Sequence, residues 1–113
     1  MTINYLVHEN LLKLLKEKSC NSMEEICGFL IKTSDRFDFF VECQNLHPDS
    51  ANYFLISPKE YIWDRECILF HSHPKHAVLD GFSDWDLENQ KYFALDMLLY
   101  SVNKDKFYIS LYD

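Results

Sequence analysis

The chain has 113 residues, of which 48% are hydrophobic and 26% are charged. This length and composition predict a single α/β domain over residues 1–113 and exclude a disordered or low-complexity chain. With 11 basic and 18 acidic residues, the formal net charge is −7. That charge argues against binding to nucleic acid or to an anionic membrane, because both require a basic surface. A protein, a peptide or a small molecule is the expected partner.

The four cysteines form no Cys-x-x-Cys pair, which argues against a thiolate zinc site and against a redox motif. We predict four reduced thiols, three of them in apolar, strand-like runs. The sequence has no basic-then-apolar signal-peptide pattern and no continuous apolar run long enough to span a membrane. These features predict a cytoplasmic protein.

The first part of the chain predicts one helix and three strands. Leucines on one broad face predict an amphipathic helix from Glu9 to about Asn21. An apolar run predicts a buried strand over 26–31, and alternating side chains predict a second strand over 37–43 in a hairpin with it. A third, short strand is predicted over 53–56.

A second helix and a fourth strand are predicted next. Ser57 is the expected N-cap and Pro58 the expected first residue of a short helix that ends near Arg65. An apolar strand over 67–71 then runs into His-Ser-His-Pro at 71–74, where the proline ends it.

The last part of the chain predicts a loop, a third helix and a final hairpin. The loop covers 74–82, and Ser83 is the expected N-cap of the helix. The hairpin strands are predicted over 96–102 and 107–112. This order of elements predicts a mixed β-sheet of about six strands flanked by three helices.

Three residues in this arrangement could bind a metal ion. His71 and His73 are separated by one residue, so on an extended backbone both rings project from the same face. Such pairs are more often ordinary histidines than ligands, but Asp86 follows in the first turn of the third helix. Two imidazoles and a carboxylate would leave a tetrahedral zinc one open position, as in catalytic sites. Ser83 and Asp86 also fit a helix capping box, a role that a metal-binding carboxylate can keep only in part.

Three segments together resemble the JAMM (MPN-plus) zinc metalloproteases: Glu25-Ile26-Cys27-Gly28-Phe29-Leu30, His71-Ser72-His73-Pro74 and Ser83-Asp84-Trp85-Asp86. The resemblance runs from the first helix to the last hairpin and implies the JAMM/MPN architecture, which is similar to that of cytidine deaminases. Nine residues separate His73 from Ser83, whereas the family usually has seven, so we expect a larger loop at the mouth of the site. Phe82 also replaces a proline that is common in relatives.

Carried over residue by residue, the resemblance implies that His71, His73 and Asp86 bind Zn²⁺. It also implies that Glu25 is the general base and that Ser83 stabilises the oxyanion. Glu25 is preferred over its neighbour Glu24 because it lies two positions before Cys27. Zinc lowers the pKa of a bound water to about 7, and a carboxylate can take that proton and pass it to a leaving amine.

The resemblance therefore implies a zinc-dependent metallopeptidase or isopeptidase of a minimal prokaryotic or phage type. The expected substrate is the C-terminal tail of a ubiquitin-like protein, docked along an exposed strand. The alternatives are a virion-associated phage tail peptidase, acting on assembly proteins or cell-wall peptides, and a non-catalytic scaffold module. A zinc-dependent base deaminase is disfavoured because the chain lacks the Pro-Cys-x-x-Cys ligand pair.

Four polar residues are left without a chemical role. His8 and His47 carry no motif, and Asn45 is expected to form an ordinary turn after the second strand. His76 lies in the enlarged loop and is expected to be solvated, with a substrate contact as the alternative.

Overall fold

The structure is a computed structural model that describes residues 3–61, 65–77 and 79–113. It contains a five-stranded mixed sheet and two α-helices. The helices are α1 (Glu9–Cys20) and α2 (Asp84–Phe93). The strands are β1 (Cys27–Lys32), β2 (Phe37–Cys43), β3 (Cys67–His73), β4 (Met97–Ser101) and β5 (Lys106–Ser110).

The strands lie in the order β2-β1-β3-β4-β5. β1 pairs antiparallel with both β2 and β3, and β4 pairs antiparallel with β5. Only the central pair, β3 and β4, is parallel among the described strands. The connection between these two parallel strands contains α2, as a parallel crossover requires.

The sheet has a hydrophobic core on each face, because side chains alternate along a strand. The core on the α1 face consists of Val7, Leu11, Leu12, Leu15, Leu30, Phe37, Ile68, Phe70, Leu98 and Tyr100. The core on the α2 face consists of Cys27, Phe29, Cys43, Phe54, Ile56, Cys67, Leu69, Phe93 and Met97. His71 and His73 continue the alternation of Cys67 and Leu69 along β3, so both imidazoles lie on the α2 face.

Most predicted elements are confirmed. The first helix, the two strands of the first hairpin and the two strands of the last hairpin lie within two residues of their predicted bounds. β3 is two residues longer than predicted and includes His73, and Pro74 follows directly. Ser83 is the N-cap of α2, as predicted.

The predicted strand over 53–56 is wrong. Instead of joining the sheet, this segment makes most of its hydrogen bonds to side chains. The Phe54 carbonyl accepts from Trp85 Nε1 at 2.7 Å, and the Leu55 N–H donates to Asn45 Oδ1 at 3.1 Å. The Phe54 and Ile56 side chains are buried in the core on the α2 face. The apolar run therefore indicated burial correctly and strand pairing incorrectly.

The predicted helix over 57–65 is also wrong. Ser57 is an N-cap and Pro58 begins a helical turn, but only a three-residue 3₁₀ helix forms, over Pro58–Glu60. Tyr61 is already extended, and its ring lies 5.6 Å from those of both Phe29 and Phe93. Packing of this ring against the core accounts for the end of the turn. Residues 62–64 lie outside the described residues.

All four cysteines are free thiols, as predicted; Cys27, Cys43 and Cys67 are buried and Cys20 is exposed. Within the described residues, no helix combines the length and the apolar character needed to cross a membrane.

Candidate metal centre

Glu25, His71, His73 and Asp86 lie together in the fold although they are distant in sequence. One nitrogen or oxygen atom from each of the four side chains lies within 4.8 Å of the others. All four are buried, with exposed fractions of 2%, 0%, 4% and 1%. A buried cluster of this composition could bind a metal ion.

The strand and helix that carry the cluster explain its geometry. His71 and His73 project from the same face at the end of β3, and Asp86 lies in the first turn of α2, which packs on that face. Asp86 Oδ2 lies 3.1 Å from Nε2 of each histidine. The spacing of the motif on two elements is thus sufficient to bring three ligand atoms together.

A backbone carbonyl orients the His73 ring. His73 Nδ1 lies 2.8 Å from the carbonyl oxygen of Leu79, in the loop between β3 and α2. Because a carbonyl only accepts, Nδ1 donates its proton in this arrangement, and Nε2 on the other side of the ring faces Asp86. The loop between β3 and α2 therefore contributes to the site through its backbone.

His71 is held by packing. Its ring stacks on Phe54, with ring centroids 4.6 Å apart and planes inclined by 24°. Burial lowers the pKa of His71, with Asp86 only partly opposing this effect, so the ring stays neutral. Neutral imidazole is the form that binds metal ions.

Asp86 both caps α2 and faces the histidines. Its Oδ2 accepts a hydrogen bond from the Ser83 N–H at 2.9 Å, and its own N–H donates to Ser83 Oγ at 3.1 Å, which completes a capping box. Burial alone would raise the pKa of Asp86, but the two histidines and the Ser83 N–H outweigh it and hold that pKa below its usual range. The carboxyl group is therefore anionic.

Glu25 lies just before β1, with its Oε2 3.7 Å from His73 Nε2. Burial, followed by the negative charges of Asp86 and Asp49, raises the pKa of Glu25 to about 9. A nearby cation would favour the anionic form and lower this pKa. Binding of a cation nearby would therefore favour loss of the proton from the Glu25 carboxyl group.

The donor atoms fit a divalent cation. Both ring nitrogens of His71 and Oε1 of Glu25 make no hydrogen bond among the described residues; Nε2 of His71 lies 3.1 Å from Asp86 Oδ2, but without the geometry of a hydrogen bond. Buried polar atoms are normally hydrogen-bonded, so these atoms require a further partner. A metal ion shared with His73 and Asp86 would supply it, and two imidazoles with carboxylates suit zinc and its neighbours in the transition series.

A cleft of about 340 Å³ opens onto the cluster. The cluster members Glu25 and His73 line it, and so does Ser83. Two loops complete its lining with Asp49, Asn52, Tyr53, Ala77 and Leu79. The five residues singled out from the sequence thus all lie at or beside one cleft.

Ser83 is positioned by the capping box. Its Oγ accepts from the Asp86 N–H, so the hydroxyl proton stays available for donation. Because Ser83 lines the cleft, that proton can be donated to a bound group there.

Sequence reasoning missed several residues around the site. Asn45 is bonded to the backbone of Glu25 as well as to its own loop. His47 packs against the rings of Tyr53 and Trp85, at centroid distances of 4.9 and 5.2 Å. The only signal in the sequence was the concentration of polar and aromatic residues in this loop.

The remaining histidines lie away from the cluster. His8 is the N-cap of α1, where its Nδ1 accepts from the Asn10 N–H at 3.1 Å. His76 is exposed, as expected for a solvated residue.

In comparisons with known proteins, no protein-family model matches the sequence, and no curated protein matches it.

Proposed function

We propose that this chain is a zinc-dependent hydrolase of amide bonds, of the JAMM (MPN-plus) type. The observation that carries the proposal is the buried convergence of Glu25, His71, His73 and Asp86 beside an open cleft that Glu25 and His73 line. Perturbed ionisable groups in a cleft are typical of functional sites. A purely structural polar cluster would be expected to satisfy its own buried atoms, and this one leaves three without a hydrogen bond among the described residues.

His71, His73 and Asp86 are the proposed zinc ligands. When bound, zinc would lower the pKa of a water to about 7 and polarise the amide carbonyl. Glu25 is left as the fourth member of the cluster, in the position of a general base.

Glu25 accepts the proton of the attacking water and then donates it to the leaving amine. Its burial favours this second step, because a carboxyl group with a raised pKa readily holds a proton. A single side chain thus acts as base and then as acid.

Ser83 donates its hydroxyl proton to the oxygen that becomes negative during the reaction. Oxyanion donors of this kind contribute about 2.7–4 kcal/mol to transition-state stabilisation in other hydrolases. The capping box fixes the Ser83 side chain before substrate binds, so little reorganisation is needed.

The proposed substrate is an extended peptide, such as the C-terminal tail of a ubiquitin-like protein. The cleft lies between two loops, and we expect it to admit an extended chain rather than a folded surface. Apart from Glu25, the charged side chain that lines it is Asp49, and the described lining contains no Lys or Arg.

The test is a cleavage screen with small ubiquitin-like proteins that carry C-terminal extensions. We expect cleavage by the zinc-loaded protein, loss of cleavage with a chelator and recovery when zinc is restored. Absence of cleavage in zinc-loaded protein, across ubiquitin-like and unrelated peptide substrates, would favour a non-catalytic scaffold.

Glu25→Gln provides the matched test of mechanism. It keeps the size of the side chain but removes the proton acceptor, so kcat should fall by about 10²–10⁴-fold while zinc still binds. Glu24→Gln is the control, because the Glu24 side chain is exposed and outside the cluster. Equal effects of the two substitutions would remove Glu25 from the proposed mechanism.

A further inference from the structure

Glu25 lies outside the strand ladder, and its carboxyl group is held only loosely, with Oε2 3.7 Å from His73 Nε2. It precedes β1, which begins at Cys27, and its Oε1 has no hydrogen-bond partner among the described residues. The place of the carboxyl group must therefore be set by the backbone that carries it.

The peptide group between Glu25 and Ile26 is bonded by a side chain at each end. Its carbonyl oxygen accepts from Asn45 Nδ2 at 3.0 Å, and its N–H donates to Ser72 Oγ at 2.9 Å. A peptide group is planar, so fixing both its carbonyl and its N–H fixes its rotation. That rotation sets the direction in which the Glu25 side chain leaves the backbone.

Ser72 connects this peptide group to the strand of the histidines. It lies between His71 and His73 in β3, it is fully buried, and its own N–H donates to the Ile26 carbonyl at 2.9 Å. The same residue thus contacts both the Ile26 N–H and the Ile26 carbonyl. This double contact joins the backbone next to Glu25 to the strand that carries the two imidazoles.

Asn45 bonds the same peptide group to the loop that lines the cleft. Its Nδ2 also donates to the Tyr53 carbonyl at 2.9 Å, and its Oδ1 accepts from the N–H groups of His47 and Leu55, each at 3.1 Å. The loop reaches Glu25 a second time, since the Glu25 N–H donates to the Ser50 carbonyl at 2.8 Å. Asn45 therefore couples the loop conformation to the position of Glu25.

We infer that Asn45 and Ser72 are positioning residues that hold the Glu25–Ile26 peptide group and thereby direct the Glu25 carboxyl group at the histidines. The expected effect on catalysis rests on the proposed function, whereas the hydrogen bonds that position Glu25 do not depend on it. Displacing a reacting group by about 1 Å can cost on the order of 10²-fold in rate. The loss of either contact should therefore lower the rate without removing a ligand.

Two substitutions remove the contacts. Asn45→Asp keeps an oxygen acceptor for the His47 and Leu55 N–H groups but removes the donor to the Glu25 carbonyl, and with it the donor to the Ser50 and Tyr53 carbonyls. Ser72→Ala removes the hydroxyl and keeps the strand backbone. Ser22→Ala is the control, because Ser22 Oγ bonds to the backbone of Glu24 and not to that of Glu25.

The kinetic test measures kcat, KM and zinc stoichiometry. We expect Asn45→Asp and Ser72→Ala to lower kcat by about 10–100-fold, with one zinc still bound and KM changed little, as for groups that orient active residues. Ser22→Ala should match the wild type. Wild-type kcat in both Asn45→Asp and Ser72→Ala would overturn the inference.

A double-mutant cycle tests whether Asn45 and Ser72 act through Glu25. In a Glu25→Gln background, Asn45→Asp and Ser72→Ala should have little further effect on kcat, because the group that they position is already inactive. An unchanged effect in that background would mean that they act on another group and would contradict the inference.

Amide hydrogen exchange tests the contacts without any activity. In protein treated with a chelator, the Ile26 amide should exchange about tenfold faster in Ser72→Ala than in wild type, because a hydrogen bond is lost. It should also exchange faster in Asn45→Asp and not in Ser22→Ala. If no substrate is cleaved but these changes occur, the proposed function fails and the positioning role stands. Unchanged exchange of Ile26 in both substitutions would overturn the positioning role itself.

Discussion

At the scale of single residues, the Asp86 carboxyl group makes two kinds of contact with one oxygen atom. Oδ2 accepts from the Ser83 N–H and also lies 3.1 Å from both imidazoles. A carboxylate has about four lone-pair sites, so capping and metal binding are compatible. From the sequence, the two roles were expected to compete.

Asp86→Asn separates these roles. The amide oxygen still accepts from the Ser83 N–H, so the melting temperature measured in chelator should change by only a few degrees. Loss of the anionic ligand should weaken zinc binding by at least about 100-fold. Titration calorimetry measures that affinity, with Asp84→Asn as the control, because the Asp84 side chain is exposed in the same helical turn. Wild-type affinity in Asp86→Asn would exclude Asp86 as a ligand.

Ser83→Ala distinguishes the role of Ser83 as helix cap from its proposed role as oxyanion donor. Loss of the cap should lower the free energy of unfolding by about 1 kcal/mol. Loss of the oxyanion donor should lower kcat by about 10²–10³-fold. Ser57→Ala removes the N-cap of the 3₁₀ helix and serves as the control, since it should affect stability alone. Comparable kcat values in both substitutions would limit Ser83 to a structural role.

The sequence predicted the site residues whose role depends on their chemical type, and it missed those that act through the backbone. His71, His73 and Asp86 follow from side-chain chemistry and strand alternation. The Leu79 carbonyl that orients His73 carries no side-chain signal, because any residue type has a carbonyl. The stacking of Phe54 on His71 depends on the path of a long loop, which local pattern does not determine.

At the scale of elements, β1 and β2 approach closely beside the Glu25 segment. A Cβ atom at Gly28 would lie 2.1 Å from the Val41 carbonyl oxygen and 2.7 Å from a ring carbon of Phe40. The position therefore requires glycine for reasons of space and not of backbone conformation. The strand pairing that places Glu25 depends on this contact.

Gly28→Ala should destabilise the fold by about 1–3 kcal/mol, because one neighbouring strand must shift to admit the methyl group. Gly81→Ala is the matched control, since a Cβ atom there meets nothing within 4 Å among the described residues. Chemical denaturation of both proteins measures the difference. Equal stability of the two would contradict the close approach of β1 and β2.

Helix α2 ends with a residue in an unfavourable conformation. Ala94, its C-cap, has φ 56° and ψ 47°, in the left-handed region. A glycine adopts this region at no steric cost, so Ala94→Gly should stabilise the protein by about 1 kcal/mol. Ala51→Gly, at an exposed turn without a positive φ, should not stabilise it. A lower melting temperature in Ala94→Gly would show that the helix ends differently.

Elements with strong local signals were predictable, and those decided by tertiary packing were not. Helix α1 and the two hairpins have clear periodicity and clear turns. The segment over 53–56 has the composition of a strand, but the side chains of Asn45 and Trp85 bond to its backbone in place of a sheet neighbour. Ser57 and Pro58 are residues that normally begin a helix, but the packing of Tyr61 on the core ends this one after three residues.

At the scale of the whole molecule, the sheet order brings the cluster together from three regions of the chain. β1 lies next to β3, so Glu25, two residues before the first residue of β1, lies beside the end of β3, where Cys27 is paired with His71. The crossover from β3 to β4 places α2 over the same strand end. The candidate metal centre is therefore a consequence of strand order combined with the alternation of side chains.

Anomalous X-ray scattering at the zinc edge, from crystals of the zinc-loaded protein, tests directly whether His71, His73 and Asp86 bind zinc. We expect one strong peak per chain, about 2.0–2.2 Å from Nε2 of His71, Nε2 of His73 and a carboxylate oxygen of Asp86. The Glu25 carboxyl group should lie beside the ion without being one of these three ligands. A peak bound elsewhere, for example at Asp49 and His47, or no peak in the cleft at stoichiometric zinc, would contradict this assignment.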